Sequence, residues 1–166
     1  MFKNWIKKLN TIAYVQIWEN RIKVTDINTG NNFDEKPIVA IETIANNNKI
    51  LAFGNDALVV TGENIEQVNP FSHPRTLLVG FTVAERLLQL IFKKIYGKRW
   101  FSPSPAIVVH LMEKTEGGLT QVEDRGFREL MVMSTGARKV FMYQGTPLDI
   151  EDFNLDAVKL YENTAY

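Results

Sequence analysis

Residues 106–111, AIVVHL, are apolar but for one His, and a run that short and that apolar reads as a buried strand. Ser102, Pro103, Ser104 and Pro105 give it a rigid entry. The stretch GGLTQVEDRGFRELMVMSTGARKVFMYQGTPLD, residues 117–149, narrows the choice of fold further. Thr120 and Glu123 are spaced as a capping box, in which the hydroxyl takes an orphan backbone N–H and the carboxylate reaches back. A helical body comes next, Gly136 is placed to stop it, and KVFMY reads as the succeeding strand. Gly126 weakens this helix by about 1 kcal/mol relative to Ala, and marks a place of close packing.

The same grammar appears upstream. Thr82 and Glu85 form a second capping-box pattern, Val83, Leu87, Leu90, Ile91 and Ile95 supply an apolar face, and Gly97 is placed to end the helix. Before it, β-branched and aromatic residues predict strands over 11–19, 22–27, 38–42 and 50–53, with turns at NR, at NTGNN and at NNN (46–48). Gly54, Asn55 and Asp56 lead into a short helical turn. A strand meander succeeded by helix, strand, helix, strand predicts an α/β domain with a mixed sheet flanked by helices. The expected organisation is an amphipathic helix over 1–10, one domain over 11–147, and an acidic tail or closing helix over 148–166.

Composition excludes several chemistries. The 166 residues suit a single domain with a real core. Nineteen basic residues balance nineteen acidic ones, so no global field advertises nucleic acid as a partner. Without Cys there is no disulfide scaffold, thiol nucleophile or Cys-based metal site. No apolar run approaches the roughly 20 residues needed to span a bilayer, and no secretory cleavage site is evident, which places the expected location inside the cell.

The segment MFKNWIKKLN has Phe2, Trp5, Ile6 and Leu9 on one helical face and Lys3, Lys7 and Lys8 on the rest. Such a helix suits the headgroup layer of an anionic membrane. The alternative is that Phe2 and Trp5 dock on the core, or that the terminus frays.

Other candidates are weaker. His73 and His110 lack metal-ligating partners, and His110, in a buried strand, reads as a hydrogen-bonded core residue. The pairs Glu123/Asp124 and Glu151/Asp152 read as a helix N-terminus and an acidic tail before they read as acid–base carboxylates. GGLT lacks the Lys-Ser/Thr of a P-loop. KKIYGKRWF, residues 93–101, is a basic and aromatic patch suited to phosphate or membrane, or simply a helix end with favourably placed cations. Met131, Met133 and Met142 read as core gap-fillers.

In chain order, DEKPIVAIE…AFGNDA, FTVAERLLQLIFKKIYG, PSPAIVVH and TQVEDRGFREL…STGARKVF resemble the N-terminal half of the bacterial actin family, MreB. The resemblance runs collinearly to about Pro147 and implies an actin-like ATPase (ribonuclease H-like) subdomain. It also brings a counterpart for the basic first turns, which bind membrane in some members. The family cradles ATP phosphates on an Asp-Leu-Gly-Thr hairpin between its first two strands. Here that loop corresponds to Gln16, Ile17, Trp18 and Glu19, with a Gln for the acidic residue, a Trp for the Gly and an added negative charge. The family's catalytic Glu falls at Gly145, with Gln144 one position away. The family's second half has no counterpart in these residues.

The resemblance implies the first half of an actin-like fold. The departures from its pattern at 16–19 and 145, with the missing second half, lead to the expectation of a half-actin with no catalytic residue, bound cofactor or metal, acting as a binding or scaffold protein in cell-shape or envelope machinery at the inner membrane. Its expected partners are a protein or a second copy of itself. The alternatives are an ATPase completed by a partner chain, and an adaptor in pilus or secretion assembly.

Overall fold

The computed structural model describes residues 11–97 and 104–164. Strands β1 (Ile12–Ile17), β2 (Ile22–Asp26) and β3 (Asn32–Glu35) form an antiparallel meander. Strands β7 (Ala106–Leu111) and β8 (Lys139–Tyr143) then run parallel to β1, giving a five-stranded mixed sheet ordered β3-β2-β1-β7-β8. A second, antiparallel sheet, ordered β5-β4-β6, is built from β4 (Val39–Ile44), β5 (Asn47–Phe53) and β6 (Ile65–Val68). Helices α1 (Phe81–Tyr96), α2 (Gln121–Thr135) and α3 (Leu155–Thr164) complete the architecture, with a 3-10 turn at Gly54–Val59.

The pleat of the large sheet sends alternate side chains to two different cores. Val15, Ile17, Ile107 and Val109 face α1 and α2, where they meet Leu87, Leu88, Ile91, Phe127 and Leu130 in the main core. Tyr14, Val108, Phe141 and Tyr143 face the other way and are covered by Val158 of α3 together with Leu148, Ile150 and Phe153. All six residues of β7 are therefore buried, which is why its sequence does not alternate. Residues 148–164 fold back over that second face.

Some local expectations are corrected. Thr82 does not cap α1: the cap lies two residues earlier, at Gly80, and carries no side-chain cap bond. Val79 and Gly80 both donate to the Pro70 carbonyl, at 3.0 and 3.3 Å, so the incoming chain fixes where the helix starts. Thr120, by contrast, forms both halves of its capping box with Glu123. The β4–β5 turn falls at Ala45 and Asn46, both at positive φ, so Asn47 and Asn48 already belong to β5. Strands β3 and β6 were not expected, being four residues each and largely polar. The tail carries a helix where its pattern was indistinct. Met131 and Met142 do fill the core, but Met133 is 57% exposed. An added Cβ at Gly126 would sit 3.6 Å from Leu78, an ordinary contact.

Candidate functional site

Open α/β sheets bind ligands beyond the carboxyl ends of their parallel strands, and here β1, β7 and β8 end together. Registers Gln16↔His110 and His110↔Tyr143 put these three residues in one row, just before the β1–β2 hairpin, the loop after β7, and Gly145.

The hairpin is a tight turn closed by Trp18 N–H to the Arg21 carbonyl, 2.8 Å. Its tip is committed to the protein. Glu19 N–H donates to Glu113 Oε2 at 2.8 Å, and Asn69 Nδ2 donates to the Glu19 carbonyl at 2.8 Å. The Glu19 carboxylate lies 3.1 Å from Lys114 Nζ and accepts from Ser72 Oγ at 3.2 Å. Lys114 holds its carboxyl below the ordinary carboxylate range, chiefly through that contact. Lys114 itself adopts a left-handed backbone, φ 57°, and also donates to the His73 carbonyl. A non-Gly residue in that region is held there by its surroundings. The Arg21 guanidinium lies 4.7 Å from the Trp18 ring centroid and pairs with Asp34 through two 2.7 Å hydrogen bonds.

The expected site residues fall at different places around this edge. Ile17 is fully buried in the main core and Gln16 lies on the opposite face, where its amide reaches Met112 Sδ at 3.9 Å. Trp18 and Glu19 sit on the hairpin. Gly145 has no room for a side chain: an added Cβ would lie 2.2 Å from Tyr143 Oη and 2.5 Å from Cζ. The Tyr143 ring is fixed in turn by its hydroxyl, which donates to the Thr146 carbonyl at 2.8 Å, and by His110 and Tyr161, each with ring centroids 5.0 Å away. Gln144 points toward the loop at Gly118, its Oε1 3.8 Å from where a Cβ there would be. Residues 1–10, with Phe2, Lys3, Trp5, Ile6, Lys7, Lys8 and Leu9, lie outside the described residues, as do Trp100 and Phe101.

Behind this edge is a buried polar chain. Leu148 N–H donates to Tyr14 Oη at 3.3 Å, which leaves the Tyr14 hydroxyl to donate to His110 Nδ1 at 2.7 Å. His110 also meets the Gly145 backbone, an interaction that favours its protonated form. Burial pushes the His110 pKa down, partly offset by the Gly145 bond, so the ring is neutral at pH 7. Burial likewise pushes the Tyr14 phenol up. The hydrogen-bonded core His was expected; Tyr14 and Tyr143 as its neighbours, and Glu113 and Lys114 as partners of Glu19, were not. The one available signal was that polar side chains occur inside β1 and β7, in otherwise apolar strands.

Chemically, the edge offers no cluster of His, Asp or Glu able to hold a metal among the described residues. Its cation, Lys114, is already paired with Glu19, and the Trp18 and Glu19 amides of the hairpin are taken by the protein itself.

Several known proteins are similar to this chain. A profile of the MreB/Mbl protein family matches residues 20–148. The cell shape-determining protein MreB of Pasteurella multocida (strain Pm70) is 30% identical over 116 residues, 67% of this chain and 31% of that protein. MreB of Escherichia coli (strain K12) matches to the same extent, so the chain spans 31% of the length of both relatives. An uncharacterized Escherichia coli protein, YjaA, is 40% identical over 70 residues, 39% of this chain and 55% of that protein. The crystal structure of MreB5 of Spiroplasma citri bound to AMPPNP superposes with a TM-score of 0.65 over 81% of this chain and 38% of that one, at 16% identity. The same protein bound to ADP gives 0.64. At that identity the likeness speaks for the fold, an actin-like α/β subdomain. With the profile covering 20–148, from the hairpin through the Tyr143–Gly145 turn, the chain belongs to the MreB/Mbl family.

Proposed function

We propose that this chain is a non-catalytic, MreB-like half-actin that works as a binding or scaffold protein in cell-shape or envelope machinery. The observation that carries the reading is the steric closure of Gly145, the position that the resemblance matches to the family's catalytic Glu. No carboxylate fits there while Tyr143 keeps its bonds. The hairpin matched to the phosphate cradle supports the same reading. Its tip is bonded to Glu113, Asn69 and Lys114, and Glu19 adds negative charge where phosphates would have to approach. A scaffold needs surfaces instead, and Val122 and Leu160, 82% and 67% exposed, offer apolar contact to a protein partner or a second copy. Residues 1–10 would add a weak, basic, peripheral hold on the inner membrane, effective when several copies act together.

Thermal unfolding with and without magnesium–ATP tests this. A ligand bound only by the folded state stabilises it by about 2.7 kcal/mol at a hundredfold excess over Kd. The expected result is no shift in Tm; a nucleotide-dependent rise overturns the pseudo-enzyme reading. Flotation with anionic liposomes tests the membrane component, and is expected to be lost in Trp5→Glu.

A further inference from the structure

Away from the hairpin, a groove of about 970 Å³ lies between the small sheet, α1 and the last turns of α2. Its floor is apolar, with Ile41 and Ile50 from the β4–β5 pair and Val83 and Leu90 from α1. Helix α2 adds Val132 and Met133, which remain 48% and 57% exposed. Two adjacent large apolar residues held open to water leave transfer free energy unrealised until something covers them. Met suits that role, because its flexible thioether repacks against whatever arrives.

The rim has one sign of charge. Arg86 and Lys93 project from α1, Lys49 lies on β5, and no Asp or Glu lines the groove among the described residues. Lys49 is opposite Glu42 across the β4–β5 pair, so the surplus rests on Arg86 and Lys93. Arg86 donates to Gln89 Oε1 at 3.2 Å, and the Gln89 amide in turn donates to Glu85 at 3.3 Å. A neutral amide therefore stands between Arg86 and that acid, and no direct ion pair of Arg86 is found among the described residues. The two cations are seven positions apart on the helix, a rise of about 10 Å or two turns of any helix laid alongside.

We propose that this groove docks an acidic amphipathic helix of a partner protein. Its apolar side chains, spaced i, i+3 or i+4, and i+7, would cover Val132 and Met133 and fill the floor. Carboxylates two turns apart would face Arg86 and Lys93, steering association and fixing register. Concavity favours a helix over a membrane surface, which would meet the rim before the floor. The proposal rests on the scaffold reading and gives it a partner chemistry. It fails separately, because nucleotide titration does not probe this groove.

Selection from displayed random peptides of about four helical turns, with Arg86→Glu/Lys93→Glu protein as counter-target, tests it. Enriched peptides should be acidic with helical spacing of apolar anchors, and should bind the double variant and Met133→Glu at least about tenfold more weakly. None of the three substituted side chains is buried in the core, so the Tm of each variant should stay near that of the parent and exclude unfolding as the cause. Enrichment of basic peptides, of strictly alternating extended sequences, or of binders indifferent to the substitutions overturns the proposal. So does binding of anionic vesicles that is abolished by the same substitutions.

Discussion

The carboxyl edge of the large sheet and the groove between α1, α2 and the small sheet are two places where an actin-like fold could receive something. At the edge, the prominent polar groups have partners within the protein: Glu19 with Lys114, Arg21 with Asp34, Tyr143 with Thr146 and His110 with Tyr14. In the groove the apolar side chains Val132 and Met133 are uncovered, and Arg86 and Lys93 face no acid among the described lining residues. On the proposed reading, the groove and not the inherited nucleotide edge is the place left open to a partner. A site whose donors, acceptors and charges are already satisfied gains little from a ligand, because binding must first break what is there.

That contrast can be broken most directly at Gly145. Gly145→Glu restores the family's carboxylate in sequence and should cost about 1–3 kcal/mol by overpacking against Tyr143, with no ATP hydrolysis gained. Urea unfolding and a phosphate-release assay check it. A stable variant that hydrolyses ATP would mean that Tyr143 yields readily and the edge is not closed.

A smaller effect sharpens the account of the buried chain behind the edge. His110 has its folded pKa depressed, so the unfolded chain takes up the proton first as pH falls. Its contribution is complete above about pH 6.5, the ordinary His value, and is lost as pH drops below it. The urea midpoint should fall from about pH 7 toward pH 5, with a slope of at most about 1.4 kcal/mol per pH unit from this one proton. His110→Gln should flatten that slope. An unchanged slope would assign the pH dependence to other groups.

The smallest effect compares the two capping-box patterns. Thr120→Ala should cost about 1 kcal/mol, because it removes the side-chain half of a formed box. Thr82→Ala, on the groove side, should change stability by less than about 0.5 kcal/mol, because Thr82 caps nothing. Equal losses would show that Thr82 takes part in starting α1 after all.

Those two threonines also mark how far sequence reading reached. Both patterns are TxxE before an apolar run, and both predicted a helix that exists. Only Thr120 acts as the cap, because the start of α1 is set by Val79 and Gly80 bonding to Pro70, a contact made by the path of the chain. The elements with dense apolar runs, β1, β7 and β8, were legible for the same reason that they are buried. β3 and β6 were not, since a four-residue strand such as Asn32–Glu35 owes its existence to the neighbour it pairs with and buries only Phe33. Residues 16–19 and 145 were legible as departures from a family pattern. That a Tyr143 ring stands where a side chain at 145 would go was not, because it depends on how the turn after β8 folds back.

The sequence by itself determined what local chemistry controls: the α/β class, the Thr120 cap, the Gly136 stop, the unalternating strand β7 and membership of a recognisable lineage. Only the tertiary structure decided the second core under α3, the Leu148–Tyr14–His110 chain and the cationic groove. Each of these assembles residues from elements far apart in sequence, and their free energies come from contacts that no local pattern encodes.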